Sequence, residues 1–292
     1  MSIVHSYAVG DGDMFSIRHN SDNCTIIDCS ISEGNENRLL KEIDKQREGK
    51  GITRFISTHP DQDHLEGLVA LDDHINILNF YVVNNSATKE VETNDFKRYK
   101  KLRDGDKAFY IFRDCKRRWM NQNDDERDSS GINIRWPITS NKHFKDALKD
   151  AGDGKSPNNI SPVITYSLNN GVDMAWFGDL ETDFMEEIKG EISWPNVDIL
   201  FAPHHGRDSG KIPKSILEEM KPKILVVGEA PSKNLNYYRD YNTITQNSAR
   251  SIYFECVANW VHIYVGSSTY KVDFLKDKAA STYTNYIGSL DV

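Results

Sequence analysis

The residues able to do chemistry cluster in three places along the chain. The first is His59-Pro60-Asp61-Gln62-Asp63-His64, two imidazoles and two carboxylates directly after the apolar run Ile52–Thr58. A strand end is rigid and the loop turns at Pro60, so the four side chains can converge on one point. Mixed imidazole and carboxylate donors suit divalent transition metals. The competing reading is a helix start, with Asp61 or Asp63 as its cap. The second place is Phe177-Gly178-Asp179-Leu180, an aspartate between a strand and a helical pattern over Glu181–Lys189. A simple Gly-Asp turn and cap would look the same. The third is Pro203-His204-His205-Gly206, behind the apolar run Val197–Ala202. Two adjacent histidines could also be a buried, hydrogen-bonded pair. All three put ligand types at strand ends, and that shared context favours one metal centre over three unrelated turns.

The elements that must position these loops follow from hydrophobic periodicity. Ser2–Val9, Met14–Arg18, Cys24–Asp28, Ile52–Thr58 and Ile77–Val83 read as strands, with Gly10-Asp11-Gly12-Asp13 as a turn. Gly34–Glu48 reads as a helix with apolar Leu39, Leu40 and Ile43, and another helix follows His64. Ile132–Trp136, Val163–Leu168, Val172–Phe177 and Val197–Ala202 are expected strands, as are Ile224–Val227, Trp260–Val265 and Tyr270–Phe274. Pro213–Met220 is an expected helix. No Gly/Ser/Pro linker divides the chain. The expectation is one α/β domain over residues 1–275, an αββα sandwich of two mixed β-sheets flanked by helices, followed by a polar tail or loose closing element at 276–292.

Within that frame 94–128 stands out as a polar insertion. Lys97–Arg118 carries ten Lys/Arg against three Asp/Glu, with Asp124-Asp125-Glu126 just beyond. It reads as a solvated helical insertion, or else as a substrate-binding surface. The chain has 292 residues, 38% hydrophobic, and a net charge of −8. That supports a full core and excludes a globally basic nucleic-acid coat, although binding follows local potential. No run approaches 18 consecutive apolar residues, so no membrane span is expected. The N-terminus lacks the pattern of a secretory signal, and Cys24, Cys29, Cys115 and Cys256 have neither zinc-finger nor disulfide-framework spacing. Reduced thiols in a cytoplasmic protein are the expectation.

The chain resembles the metallo-β-lactamase superfamily, and within it the nuclease-like branch found as the soluble domain of ComEC-type DNA-uptake proteins. The resemblance is carried by Val9-Gly-Asp-Gly-Asp13, Ile26-Ile27-Asp28, Thr58-His-Pro-Asp-Gln-Asp-His-Leu-Glu-Gly-Leu68, Asn158-Asn159-Ile-Ser161, Phe177-Gly-Asp-Leu180 and Pro203-His-His-Gly206, in that order. It implies a metal-dependent hydrolase with two divalent ions, Zn²⁺ and/or Mn²⁺. The implied ligands are His59 and Asp61 for one ion, Asp63, His64 and His204 for the other, and Asp179 as the bridge. Asn158-Asn159 stands where a further histidine is usual. Asp63, Asp179 and His205 are the implied catalytic residues. Asn158, Asn159 and Ser161 would contact a phosphate, and Asp13 and Asp28 would orient the loop ligands from behind.

The leading expectation for function is a phosphodiesterase or nuclease in which metal-activated water attacks phosphorus. Nucleic acid or another phosphodiester is the expected partner. Tyr237, Tyr238 and Tyr241 around Arg239 could stack bases, or could pack as an ordinary surface loop. The alternatives are a small-molecule hydrolase of the same fold, acting on a lactone, thioester or cyclic nucleotide, and a non-catalytic metal-stabilised interaction module. Trp119 and Trp136 read as core residues.

Overall fold

The computed structural model describes residues 1–292, the side chain of Ser232 excepted. Nine strands form one sheet: β1 (Ser2–Ser6), β2 (Phe15–Arg18), β3 (Asn23–Ile27), β4 (Ile52–Ser57), β5 (Phe80–Val82), β6 (Ala108–Tyr110), β13 (Ile252–Val257), β14 (Trp260–Val265) and β15 (Tyr286–Asp291). Their spatial order is β15-β14-β13-β1-β2-β3-β4-β5-β6, antiparallel from β15 to β3 and parallel from β3 to β6. The second sheet has six strands: β7 (Ile132–Trp136), β8 (Val163–Ser167), β9 (Asp173–Trp176), β10 (Ile199–Phe201), β11 (Ile224–Val227) and β12 (Thr243–Thr245). Its order is β12-β11-β10-β9-β8-β7, parallel from β12 to β9 and antiparallel beyond.

Alternation along the strands builds the layers. Successive side chains of a strand point to opposite faces. Ile27 and Ile56 face inward to a core shared with Trp176, Phe201 and Phe254. Their neighbours Ile26 and Phe55 face outward to a second core. That outer core is closed by α1 (Glu36–Arg47), α3 (Leu68–Ile75) and α4 (Asn94–Arg103) through Leu39, Ile43, Leu68, Leu71 and Tyr99. The far face of the second sheet is covered by α5 (Lys142–Gly152), α6 (Thr182–Ile188) and α7 (Lys214–Met220), which bury Phe144, Met185 and Ile216. Strands covered on both faces read as continuous apolar runs, as ILVV does; in ITRFIS the charged Arg54 is also buried, donating to Thr25, Asn23 and the Trp119 carbonyl. Two short helices, α2 (Gln62–Leu65) and α8 (Gln246–Ala249), complete the set. The result is the expected αββα sandwich.

Four features differ from the sequence expectation. The helix after His64 is two helices, broken at Gly67, whose φ of +76° and close approach to the Ile31 carbonyl admit no Cβ. Tyr270–Phe274 forms no strand, whereas 252–257 and 286–291 do. The last of these pairs with β14, so the end of the chain is a sheet edge rather than a loose tail. The basic segment is not a solvated helical insertion. It supplies α4 and the edge strand β6, then buries Ile111, Cys115 and Met120 in the core. Half of its ten cations have carboxylate partners: Arg98 with Asp72 and Asp73, Lys100 with Glu92, Arg103 with Asp104, Arg113 with Asp114, and Arg118 with Asp124 and Glu126. The four cysteines are free and buried, and no helix of the described residues is long and apolar enough to cross a membrane.

Candidate metal centre

The three clusters meet at the C-terminal ends of β4, β9 and β10. His59 and the loop to His64 leave β4, Asp179 follows β9, and the His204-His205 pair follows β10. β9 and β10 are parallel neighbours in one sheet and β4 lies in the other, so loops distant in sequence open onto one point between the sheets' ends. Backbone geometry is specialised there. His204 and His205 both have left-handed φ, at +52° and +55°. Gly178 has φ +52°, and a Cβ on it would lie 2.7 Å from Ser161 Oγ and 2.9 Å from Thr58 Cβ. Only glycine lets the Asp179 turn press this close to the β4 loop.

The Asp179 carboxylate lies among four imidazoles. His64 Nε2 is 3.1 Å from Oδ1, and the Nε2 atoms of His59, His204 and His205 are each 3.7 Å from Oδ2. The opposite ring nitrogens are held from outside. His64 Nδ1 donates to Asp28 Oδ2 at 2.9 Å, because an ionised carboxylate only accepts. Asp28 also accepts from Thr58 N at 2.8 Å and Thr58 Oγ1 at 2.6 Å. With its proton spent on Asp28, Thr58 Oγ1 can only accept from His59 Nδ1, 3.0 Å away. Ser209 Oγ is 2.8 Å from His204 Nδ1. His205 differs: its Nδ1 lies 3.1 Å from Asp13 Oδ1, which is itself within the converging group, and its Nε2 faces Asp63. Holding one ring nitrogen so that the other presents its lone pair is how proteins prepare histidine for a metal.

A cation fits this arrangement. His59 Nε2, His64 Nε2 and Asp179 Oδ1 are buried without a hydrogen-bond partner, and the 3.1 Å His64–Asp179 approach is misaligned for a hydrogen bond. Each unsatisfied buried polar atom costs roughly 1–3 kcal/mol, so three together at one point call for a ligand that joins them. Among the described residues, Asp13, His64, Asp179 and His205 form the one group of such side chains whose donor atoms all lie within 4.8 Å of one another. Asp63 Oδ2 borders it, 3.3 Å from His205 Nε2.

Charge is strongly coupled here. Burial alone would raise Asp179, but the imidazoles of His64, His59 and His205 hold it well below the usual carboxylate range. Burial would lower His64, yet Asp179 and Asp28 hold it well above the ordinary imidazole value. His205 is treated likewise: against burial, Asp13 and Asp179 raise it to about 10. Asp63 is pulled down to about 2, burial being outweighed by the hydrogen bond from His205 and the charge of His64. His59 and His204 are lowered, chiefly by burial. The mouth is on the side of Asp61, Asp63 and His204, whose side chains are 27%, 34% and 15% exposed. A groove of about 800 Å³ lined by Thr182, Arg207, Ser209 and Lys211 opens beside His204.

Not every expected site residue faces this centre as expected. Asp28 stands behind His64, on its Nδ1 side. Asp13, expected to orient ligands from behind, places a carboxylate oxygen inside the converging group. The phosphate-contact role expected of Ser161 is corrected. Ser161 is fully buried, 3.2 Å from both His59 Nδ1 and the Asp179 amide, and cannot reach a substrate. Asn158 and Asn159 donate to Glu181 at 3.3 and 2.8 Å, so their amides brace the start of α6. Tyr238 is buried, its hydroxyl accepting from Ile212 N, so it offers no face for a base. Sequence reasoning missed Ser209 and also Lys89, which donates to Asp61 Oδ1.

No family model matches the chain, and no curated protein matches it significantly. Solved structures do match. Igni18, described as a novel metallo hydrolase from the hyperthermophilic archaeon Ignicoccus hospitalis KIN4/I, superposes with a TM-score of 0.51 over 87% of this chain and 99% of its own, at 12% sequence identity. The fold is that of a metallo hydrolase. At that identity the likeness extends to the fold alone.

Proposed function

We propose that this protein is a metal-dependent hydrolase that cleaves a phosphodiester. The observation that carries the reading is the ring of imidazole Nε2 atoms around Asp179, with three buried atoms there unpartnered. His64 and Asp179 would hold a divalent ion, with Asp13, Asp63, His204 and His205 in reach to complete its shell. When bound, such an ion supplies Lewis acidity: it acidifies water and offsets negative charge on a substrate oxygen. The chain's own groups do the rest. Asp28 and Thr58 fix the tautomers of His64 and His59. Asp63 is ionised at neutral pH, a third exposed and backed by His205, so it can accept a hydrogen bond from an attacking water and orient it at the mouth. His204 is steadied by Ser209, a residue that lines the groove in which the leaving group would lie.

Resemblance to the ComEC-type branch supports a nuclease. The ion pairs of Arg98, Lys100, Arg103 and Arg118 favour a second reading, a small diester or ester, because paired cations offer less to a phosphate backbone. The test is chelator-stripped protein reloaded with Mn²⁺ or Zn²⁺, assayed on bis(4-nitrophenyl) phosphate, single- and double-stranded DNA and RNA, and 4-nitrophenyl acetate. Metal-dependent diester cleavage that is lost in Asp63→Ala supports the proposal. Turnover of the acetate alone, or none with either metal, overturns it. Polynucleotide cleavage that falls steeply with salt would restore the nuclease reading.

A further inference from the structure

We propose that this centre takes one divalent ion per chain, and that the ammonium of Lys89, paired with Asp61, supplies the positive charge a second ion would bring. The inference rests on the metal-centre reading above. Around Asp179 the donors are unequally provided. One group, Asp13, His64, Asp179 and His205, converges within 4.8 Å, with Asp63 and His204 beside it. On the other flank stand His59 and Asp61, His59 Nε2 lying 3.9 Å from Asp61 Oδ2. Asp61 is already engaged there, because its Oδ1 accepts from Lys89 Nζ.

That leaves His59 Nε2, a share of Asp179 and the second oxygen of an Asp61 whose charge Lys89 already offsets, at best the bare three protein donors of an open zinc site with an ammonium beside them. The amide nitrogens of Asn158 and Asn159 are turned to Glu181, and Asn159 Oδ1 accepts from the Glu181 amide, so of the two only the buried Asn158 Oδ1 is without a partner. Lys89 is held in place by the fold. Thr88 beside it bonds the end of α5 twice, from its amide to the Ala151 carbonyl and from its hydroxyl to the Gly152 carbonyl. Ala87 is buried, and its carbonyl accepts from Arg103. The ammonium is therefore carried to Asp61 by an anchored backbone. A lysine there repels a dication and neutralises the carboxylate that the dication would need. It also leaves a fixed positive charge at the mouth for an anionic substrate.

The experiment counts ions rather than turnover. Chelator-stripped full-length protein is equilibrated with Mn²⁺ or Zn²⁺ by dialysis, and bound metal is measured by elemental analysis, with EPR of the Mn²⁺ form. Wild type should bind one ion and show the six-line spectrum of isolated Mn²⁺. Lys89→Met frees Asp61 and should bind two, with an exchange-coupled signal. Lys89→Arg keeps the charge and should stay at one. Two ions in wild type, or one in Lys89→Met, overturns the inference. A wild-type chain that binds none overturns the metal-centre reading itself, and this inference with it.

Discussion

Replacing Asp28 by asparagine should weaken metal binding while leaving the fold in place. Asp28 is buried, touches none of the Nε2 atoms around Asp179, and has a left-handed φ of +54°, a conformation asparagine adopts readily. Its two oxygens accept from Thr58 N, Thr58 Oγ1 and His64 Nδ1. An asparagine has one acceptor oxygen and one donor amide. If the oxygen stays on Thr58 N, the amide faces His64 Nδ1, which must then accept and move its proton to Nε2, the atom turned toward Asp179. If the amide is flipped, Thr58 N loses its buried acceptor. Either way one buried hydrogen bond is lost in the ligand-ready state, worth about 1–3 kcal/mol. At 1.36 kcal/mol per tenfold this corresponds to roughly 5- to 150-fold in affinity, which brackets the 10–100-fold typical of losing a group that orients a metal ligand. Calorimetric titration of Mn²⁺ or Zn²⁺ into the chelator-stripped variant measures it, with far-UV circular dichroism as the fold control. Affinity within about twofold of wild type would refute the claim that Asp28 sets the His64 tautomer.

Three further outcomes follow from the same geometry. Asp179→Asn should lower metal occupancy by more than His59→Ala does, because Asp179 is shared by four imidazoles and His59 is one of them; equal losses by elemental analysis would make Asp179 a mere turn residue. In the metal-free protein His205 is held near 10 against ~6.5 when unfolded, so its stabilisation is complete below about pH 6.5 and is lost as pH rises toward 10. The melting temperature of the stripped protein should therefore fall across that window. Metal binding at pH 7 should release protons, detected as a dependence of the calorimetric heat on buffer ionisation enthalpy. Binding with no proton release would contradict the charge state assigned to His64 and His205.

What could be read from the sequence, and what could not, divides by the range of the interaction. His59, Asp63, His64, Asp179 and the His204-His205 pair were legible because each lies in a short run of ligand types beyond an apolar strand, and parallel strands bring such ends together. Asp28 was legible for the same reason, sitting one residue past β3. Lys89 was not, because its partner Asp61 is 28 residues away and nothing local marks it. Ser161 was misplaced because composition shows a hydroxyl near the site but not that it points inward between His59 and the Asp179 amide. The basic segment misled for a related reason. Its charge was counted along the chain, whereas Arg98 meets Asp72 and Asp73 from α3 and Arg118 meets Asp124 across a loop. The strand at 252–257 escaped because Glu255 interrupts its apolar run. In the fold that carboxylate is buried and held by the hydroxyls of Tyr264 and Thr282, the latter 27 residues on. In each miss a polar side chain was taken as solvated when a distant segment had already satisfied it. The proposed one-ion centre rests on a pairing of the same long-range kind, Lys89 with Asp61.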